Sequence, residues 1–96
     1  MTALAEYEFI VTERRGDVLG ISLNRPDRLN AAPPAMFDEI RAAVADLDGA
    51  RAVLLMGIGR GFCSGADVSD SARTVRSEEA SYRALTEHYH PALLAL

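Results

Sequence analysis

Residues 57–68 run Gly-Ile-Gly-Arg-Gly-Phe-Cys-Ser-Gly-Ala-Asp-Val, with four glycines in nine positions directly after the apolar run 52–56. A residue without Cβ reaches backbone conformations closed to other residues. Such a cluster after a buried strand therefore implies a sharp turn, or backbone brought close to a ligand. Neither common nucleotide motif fits. The dinucleotide fingerprint G-x-G-x-x-G meets Phe62 where its third glycine belongs, and a P-loop needs a lysine, whereas all ten basic residues are arginine. Taken singly these glycines would only make a tight loop; their grouping marks the stretch as a built site.

Other reactive side chains are sparse. Without lysine there is no Schiff-base chemistry. Cys63 stands at no spacing from His88 or His90 that would make a thiol nucleophile, and a lone cysteine in a buried loop is usually a small hydrophobe. His88 and His90 lie two apart, on different faces of a helix, which suits surface or packing roles better than joint metal ligation. No metal site is expected. Asp67 is better placed to accept local backbone hydrogen bonds than to act as a base.

Ninety-six residues, 49% apolar and a quarter charged, describe a globular chain of at most one domain. A net charge of −4 and a pI near 5.0 argue against nucleic acid or an anionic membrane as partner. One cysteine excludes an internal disulfide, the start of the sequence lacks a basic region followed by an apolar one, and no apolar run reaches membrane-spanning length. A cytoplasmic protein is expected.

The elements that would carry the glycine stretch follow from periodicity. β-rich residues at 7–12 and 18–24 flank Arg15-Gly16-Asp17 and predict a hairpin, with Leu19, Ile21 and Leu23 on one face. Pro26 sits at the second position of a type I turn over 25–28. Met36, Ile40, Ala43, Val44 and Leu47 recur at helical spacing and predict an amphipathic helix over 35–47, stopped by Gly49. Its start has Pro33 and Pro34 but no side-chain cap, and Asp46 and Asp48 stand at the unfavourable pole. The run 52–56 reads as a strand covered on both faces, closing a β-α-β unit whose ligands would gather at the strand's carboxyl end. Residues 69–77 read as a flexible loop. Ser77 would cap a second helix with Tyr82, Leu85, Tyr89 and Leu93 as its stripe, bent or restarted at Pro91.

Two stretches, LNRPDRLNA at 23–31 and GRGFCSGADV at 59–68, resemble the N-terminal signatures of the enoyl-CoA hydratase/isomerase (crotonase) superfamily, in order and with a helix and a buried strand between them. The similarity continues into the HYHPALLAL tail. It implies an α/β fold, the N-terminal part of a crotonase-like ββα spiral, with residues 1–96 as one portion of a single domain. It also implies acyl-CoA thioester substrates, with coenzyme A entering as part of the substrate and no prosthetic group. The reaction would pass through an enolate whose oxygen is held by two backbone N–H groups.

By motif position the resemblance makes the Ala66 N–H the first of these donors. Ser64, Gly65, Asp67 and Val68 would line the path of the coenzyme, and Arg28, Leu29 and Ala31 would lie beside it. Arg25, Arg28 and Arg60 match phosphate oxygens chemically, with Arg28 preferred. Members of the family are well over twice this length and form trimers or hexamers. The second donor and the acid/base carboxylates would lie outside these residues, in a C-terminal part or on a partner chain. Hydration of a trans-2-enoyl-CoA is favoured; double-bond isomerisation and a non-catalytic acyl-CoA-binding piece are the alternatives. Incomplete cover of the 52–56 strand would leave apolar surface exposed.

Overall fold

The computed structural model describes residues 7–47, 49–66 and 82–96. Within them the order is β1 (Ile10–Arg15), β2 (Val18–Leu23), a 3-10 turn (Pro26–Arg28), α1 (Pro34–Ala45), β3 (Ala52–Gly57), a π-helical turn (Leu85–Tyr89) and α2 (His90–Ala95). The sheet has the order β1-β2-β3, with β1 antiparallel to β2 and β2 parallel to β3. The β2-α1-β3 passage is thus the expected β-α-β unit, and both β2 and β3 send their carboxyl ends toward the two motif loops.

The hairpin forms, shifted along the chain. β1 starts at Ile10 rather than residue 7, because the Glu39 carboxylate takes the N–H groups of Glu8 (3.1 Å) and Phe9 (2.8 Å). It then runs on to Arg15, opposite Val18, which leaves Gly16 and Asp17 as a two-residue turn with Gly16 at φ 57°. The Asp17 carbonyl also accepts the N–H groups of Arg51 and Ala52 (2.7 and 3.2 Å), fixing where β3 enters.

Leu19, Ile21 and Leu23 share one face of β2 and are buried against Met36, Ile40 and Ala43 of α1, with Ile10 and Ala32 completing the core. This is the stripe and the face that the periodicities predict. Burying side chains of this size contributes roughly 1.5–3 kcal/mol each. α1 begins with Pro33 as its uncapped N-cap and ends at Ala45, two residues before the expected limit. Asp46 is the C-cap, and Gly49 lies just beyond at φ 83°. Asp48 is outside the described residues.

Among the described residues β3 is covered on one face only. Val53 and Leu55 are half-buried against the core, whereas Leu54 (52% exposed) and Met56 (40%) face outward with Val11 of β1. They line an open concavity of about 200 Å³. Cover on both faces, as the apolar run predicts, is therefore not supplied by these elements, and the expected exposed apolar surface is present.

The C-terminal helix departs most from its pattern. Tyr82, Leu85 and Leu93 are exposed, and the residues that pack are Tyr89 and the fully buried Ala92. The cause is backbone register. Pro91 has no N–H to donate, and the preceding turn widens so that the His90 N–H reaches the Leu85 carbonyl five residues back. The wider turn breaks the register of the stripe, so that Tyr89 alone of its four residues packs on α1. Phe37 and Tyr89 meet edge to face at 4.9 Å, and His88 Nδ1 lies 2.8 Å from both carboxylate oxygens of Asp38, which holds this helix on α1. The expected loop at 69–77 and the Ser77 cap lie outside the described residues.

Candidate functional site

The two motif segments leave the carboxyl ends of the parallel strands β2 and β3 and run back to back. After β2, Arg25 enters the Pro26–Arg28 turn, where a 3-10 helix stands in place of the expected single type I turn. Leu29 and Asn30 then adopt consecutive left-handed conformations, φ 51° and 57°. For a leucine this region is disfavoured by roughly 1–2 kcal/mol, so surrounding contacts must hold it there. The Arg28, Leu29, Asn30 and Ala31 N–H groups are all taken by carbonyls of the same turn, at 2.8–3.2 Å. Any ligand beside this segment meets side chains and carbonyls.

The glycine loop is built around close backbone approach. A Cβ at Gly57 would stand 2.5 Å from the Phe62 carbonyl oxygen and 2.6 Å from Phe62 Cα, so the chain doubles back on itself there. Gly59 sits at φ 93° with space for a Cβ blocked by Pro26 at 2.8 Å, which presses the loop onto the first motif. Gly65 has φ 117°, and no atom crowds it; only its conformation requires glycine.

Backbone bonds join the segments: the Ser64 N–H donates to Leu29 O (3.0 Å) and the Ala32 N–H to Gly65 O (2.8 Å), forming a short parallel bridge between Ala32 and Ala66. Ala66 is exposed, and no acceptor among the described residues takes its N–H. Tyr89 Oη donates to the Ala32 carbonyl at 2.6 Å, so the C-terminal helix braces the same strand-like step.

Leu29, Arg60, Gly61, Phe62, Cys63 and Ser64 line an open groove of about 360 Å³. Phe62 is 54% exposed and Leu29 40%, an apolar pair beside an exposed arginine. The groove unites Leu29 of the first motif with Ser64 of the second. Gly65 and Ala66 follow directly, while Ala31 is half-buried and its carbonyl accepts from Arg25 Nη1 (2.6 Å). Arg28 is exposed at the turn. Asp67 and Val68 lie outside the described residues.

Arg25 has a different role from the one its charge permits. Its guanidinium bonds the Ala31 carbonyl and lies 5.7 Å over the Phe9 ring, so it closes the first-motif turn and is committed to the fold. Cys63 is half-buried, with its Sγ 3.8 Å from the Gly65 carbonyl, as befits a small packed side chain. The residue missed by pattern is Asn30. Its side chain is fully buried and joins the two motifs; an asparagine in a turn, which tolerates the left-handed region, was the available signal.

The family model described as enoyl-CoA hydratase/isomerase matches residues 13–95. A protein of Rhodobacter capsulatus named "Probable enoyl-CoA hydratase" is 43% identical over 77 residues, covering 79% of this chain and 29% of that protein. The 1,2-epoxyphenylacetyl-CoA isomerase of Escherichia coli is 38% identical over 66 residues, covering 66% of this chain and 25% of that protein. Among solved structures, the enoyl-CoA hydratase of Mycobacterium smegmatis superposes with a TM-score of 0.80 at 28% identity, over 93% of this chain and 35% of that one. The chain thus spans between a quarter and about a third of the length of these relatives.

Proposed function

Since the chain belongs to the enoyl-CoA hydratase/isomerase family, its fold matching about a third of the crotonase-fold chains, we propose that its 57–66 loop binds acyl-CoA thioesters and supplies one oxyanion donor. The favoured reaction is hydration of a trans-2-enoyl-CoA. Water gives one proton to a base as its oxygen bonds to C3, the C2=C3 π pair shifts so that negative charge reaches the thioester oxygen as an enolate, and C2 then takes a proton from an acid. The chain's own contribution is the Ala66 N–H. A preorganised donor aimed at that oxygen lowers the barrier by about 3 kcal/mol in a site that excludes water.

The observation that supports this most is that Ala66, two residues beyond the groove-lining Ser64 and fixed by its bridge to Ala32, offers an N–H with no acceptor among the described residues. Leu29 and Phe62 give the groove apolar contact for the pantetheine arm. Ser64, Gly65 and Ala31 are assigned to the same ligand by motif position, as are Asp67 and Val68, which lie outside the described residues. Arg28 and Arg60 are the guanidinium groups offered to the phosphates. Coenzyme A enters as part of the substrate, without a prosthetic group, and the protein acts in the cytoplasm.

Among the described residues no carboxylate or imidazole lines the groove, and we assign the acid and base to residues outside it, on the remainder of a longer polypeptide or on a second chain. A homo-oligomer would satisfy the second case. Double-bond isomerisation is the second reading, since the description of the matching family model covers isomerases as well as hydratases.

Absorbance of the conjugated enoyl thioester separates the outcomes. With a purified trans-2-enoyl-CoA, hydration by the chain together with the part or partner that supplies the acid and base is expected to remove the absorbance, while isomerisation of a 3-enoyl-CoA would create it. Acyl-CoA binding with neither change would establish the chain as a non-catalytic binder, and the absence of binding would overturn the proposal.

A further inference from the structure

Asn30 is fully buried, and three of its side-chain hydrogen-bonding positions are used. Oδ1 accepts the Arg25 N–H at 2.7 Å, and the two Nδ2 hydrogens go to the carbonyls of Ile58 and Gly61, each at 3.0 Å. The amide orientation follows from its partners, since a donor faces one end and two carbonyls the other. Asn30 also donates its own N–H to the Arg25 carbonyl at 2.8 Å, so Arg25 and Asn30 grip each other on both sides of the turn.

Backbone hydrogen bonds also tie the segments, Ile58 to Leu23, Ser64 to Leu29 and Ala32 to Gly65, and the first of them anchors only the Ile58 end of the turn. Ile58 and Gly61 are three residues apart in the loop, and drawing both carbonyls onto one NH2 group fixes the chord of that turn. The direction in which 62–66 leaves it follows. No other side chain replaces this arrangement: aspartate has the shape but turns oxygen toward two carbonyls, and glutamine is one methylene too long.

We infer that Asn30 is the positioning residue of the site, the side chain that sets the 58–61 turn and through it the groove and the Ala66 N–H. This rests on the acyl-CoA role proposed above.

Two substitutions in the full chain test it. Asn30→Asp keeps the acceptor for Arg25 and loses both donors; Asn30→Gly keeps the left-handed turn, which glycine adopts freely, and removes the side-chain bridge. Both are expected to shift the 1H–15N resonances of residues 58–66 in the ligand-free protein, while those of Leu19, Ile21 and Ile40 stay in place. Both should also weaken binding of an unreactive thioether analogue of acyl-CoA roughly tenfold or more, the scale of a lost hydrogen bond to a fixed loop.

Unchanged loop resonances would overturn the inference. So would shifted resonances with an analogue affinity within about twofold of native. Loss of cooperative unfolding in both variants would also overturn it, since Asn30 would then hold up the whole fold and not the site. If the native chain itself binds no analogue, the functional proposal fails, and the ligand-free spectra alone decide the role of Asn30.

Discussion

Gly57→Ala is expected to lose acyl-CoA binding by more than tenfold and to lower stability by about 2–3 kcal/mol, the cost of overpacking against atoms that cannot move aside. The added methyl would meet Phe62 O, Phe62 Cα and Gly61 O at 2.5, 2.6 and 2.7 Å, all of them backbone. Relief requires the loop to open, yet Asn30 holds the carbonyls of Ile58 and Gly61 on either side of the contact. Gly61→Ala is the matched control for stability: its nearest neighbour is the flexible tip of Leu29 at 4.0 Å, and its φ is not positive. Urea unfolding should therefore separate the two alanines sharply. Equal stabilities would mean that the close approach at Gly57 does not hold the loop.

Ala66→Pro is expected to weaken binding of an enolised ligand selectively. Proline has no N–H. A β-keto acyl-CoA, which exists partly as its enolate, places negative charge on the oxygen that the Ala66 N–H is proposed to meet. Loss of one hydrogen bond to a charged group should weaken that complex tenfold to a hundredfold, about 1.5–3 kcal/mol. Affinity for free coenzyme A, which carries no such oxygen, should change less than about threefold. Ala66→Ser retains the N–H and should behave as native toward both ligands. Parallel loss of both affinities in Ala66→Pro would indicate a distorted groove, and an unchanged enolate affinity would remove Ala66 from the site.

The core was legible because burial imposes its period on the sequence: Leu19, Ile21 and Leu23 alternate, and Met36, Ile40 and Ala43 recur every three or four residues. The glycine loop was legible as a close approach of backbone, since glycine alone permits the Gly57 contact. What escaped depends on distant partners. The start of β1 is displaced by Glu39, thirty residues away, whose carboxylate takes the Phe9 N–H. The π turn before Pro91 breaks the register of a stripe that would otherwise read as a buried helix face.

At the site, Arg25 looked like a phosphate ligand by charge, but its partners, the Ala31 carbonyl and the Phe9 ring, appear only in three dimensions. Asn30 was hidden for the converse reason. Its residue type is ordinary for a turn, and its importance lies in two carbonyls from the other motif.

The most direct test of an acyl-CoA site on this loop is a 1H–15N titration of the full chain with a saturated acyl-CoA, which binds without reacting. Saturable shifts are predicted at Leu29, at Arg60 through Ser64 and at Ala66, with the sheet core unmoved. No shift at these residues, or the largest shifts on the outward sheet face at Val11, Leu54 and Met56, would contradict it.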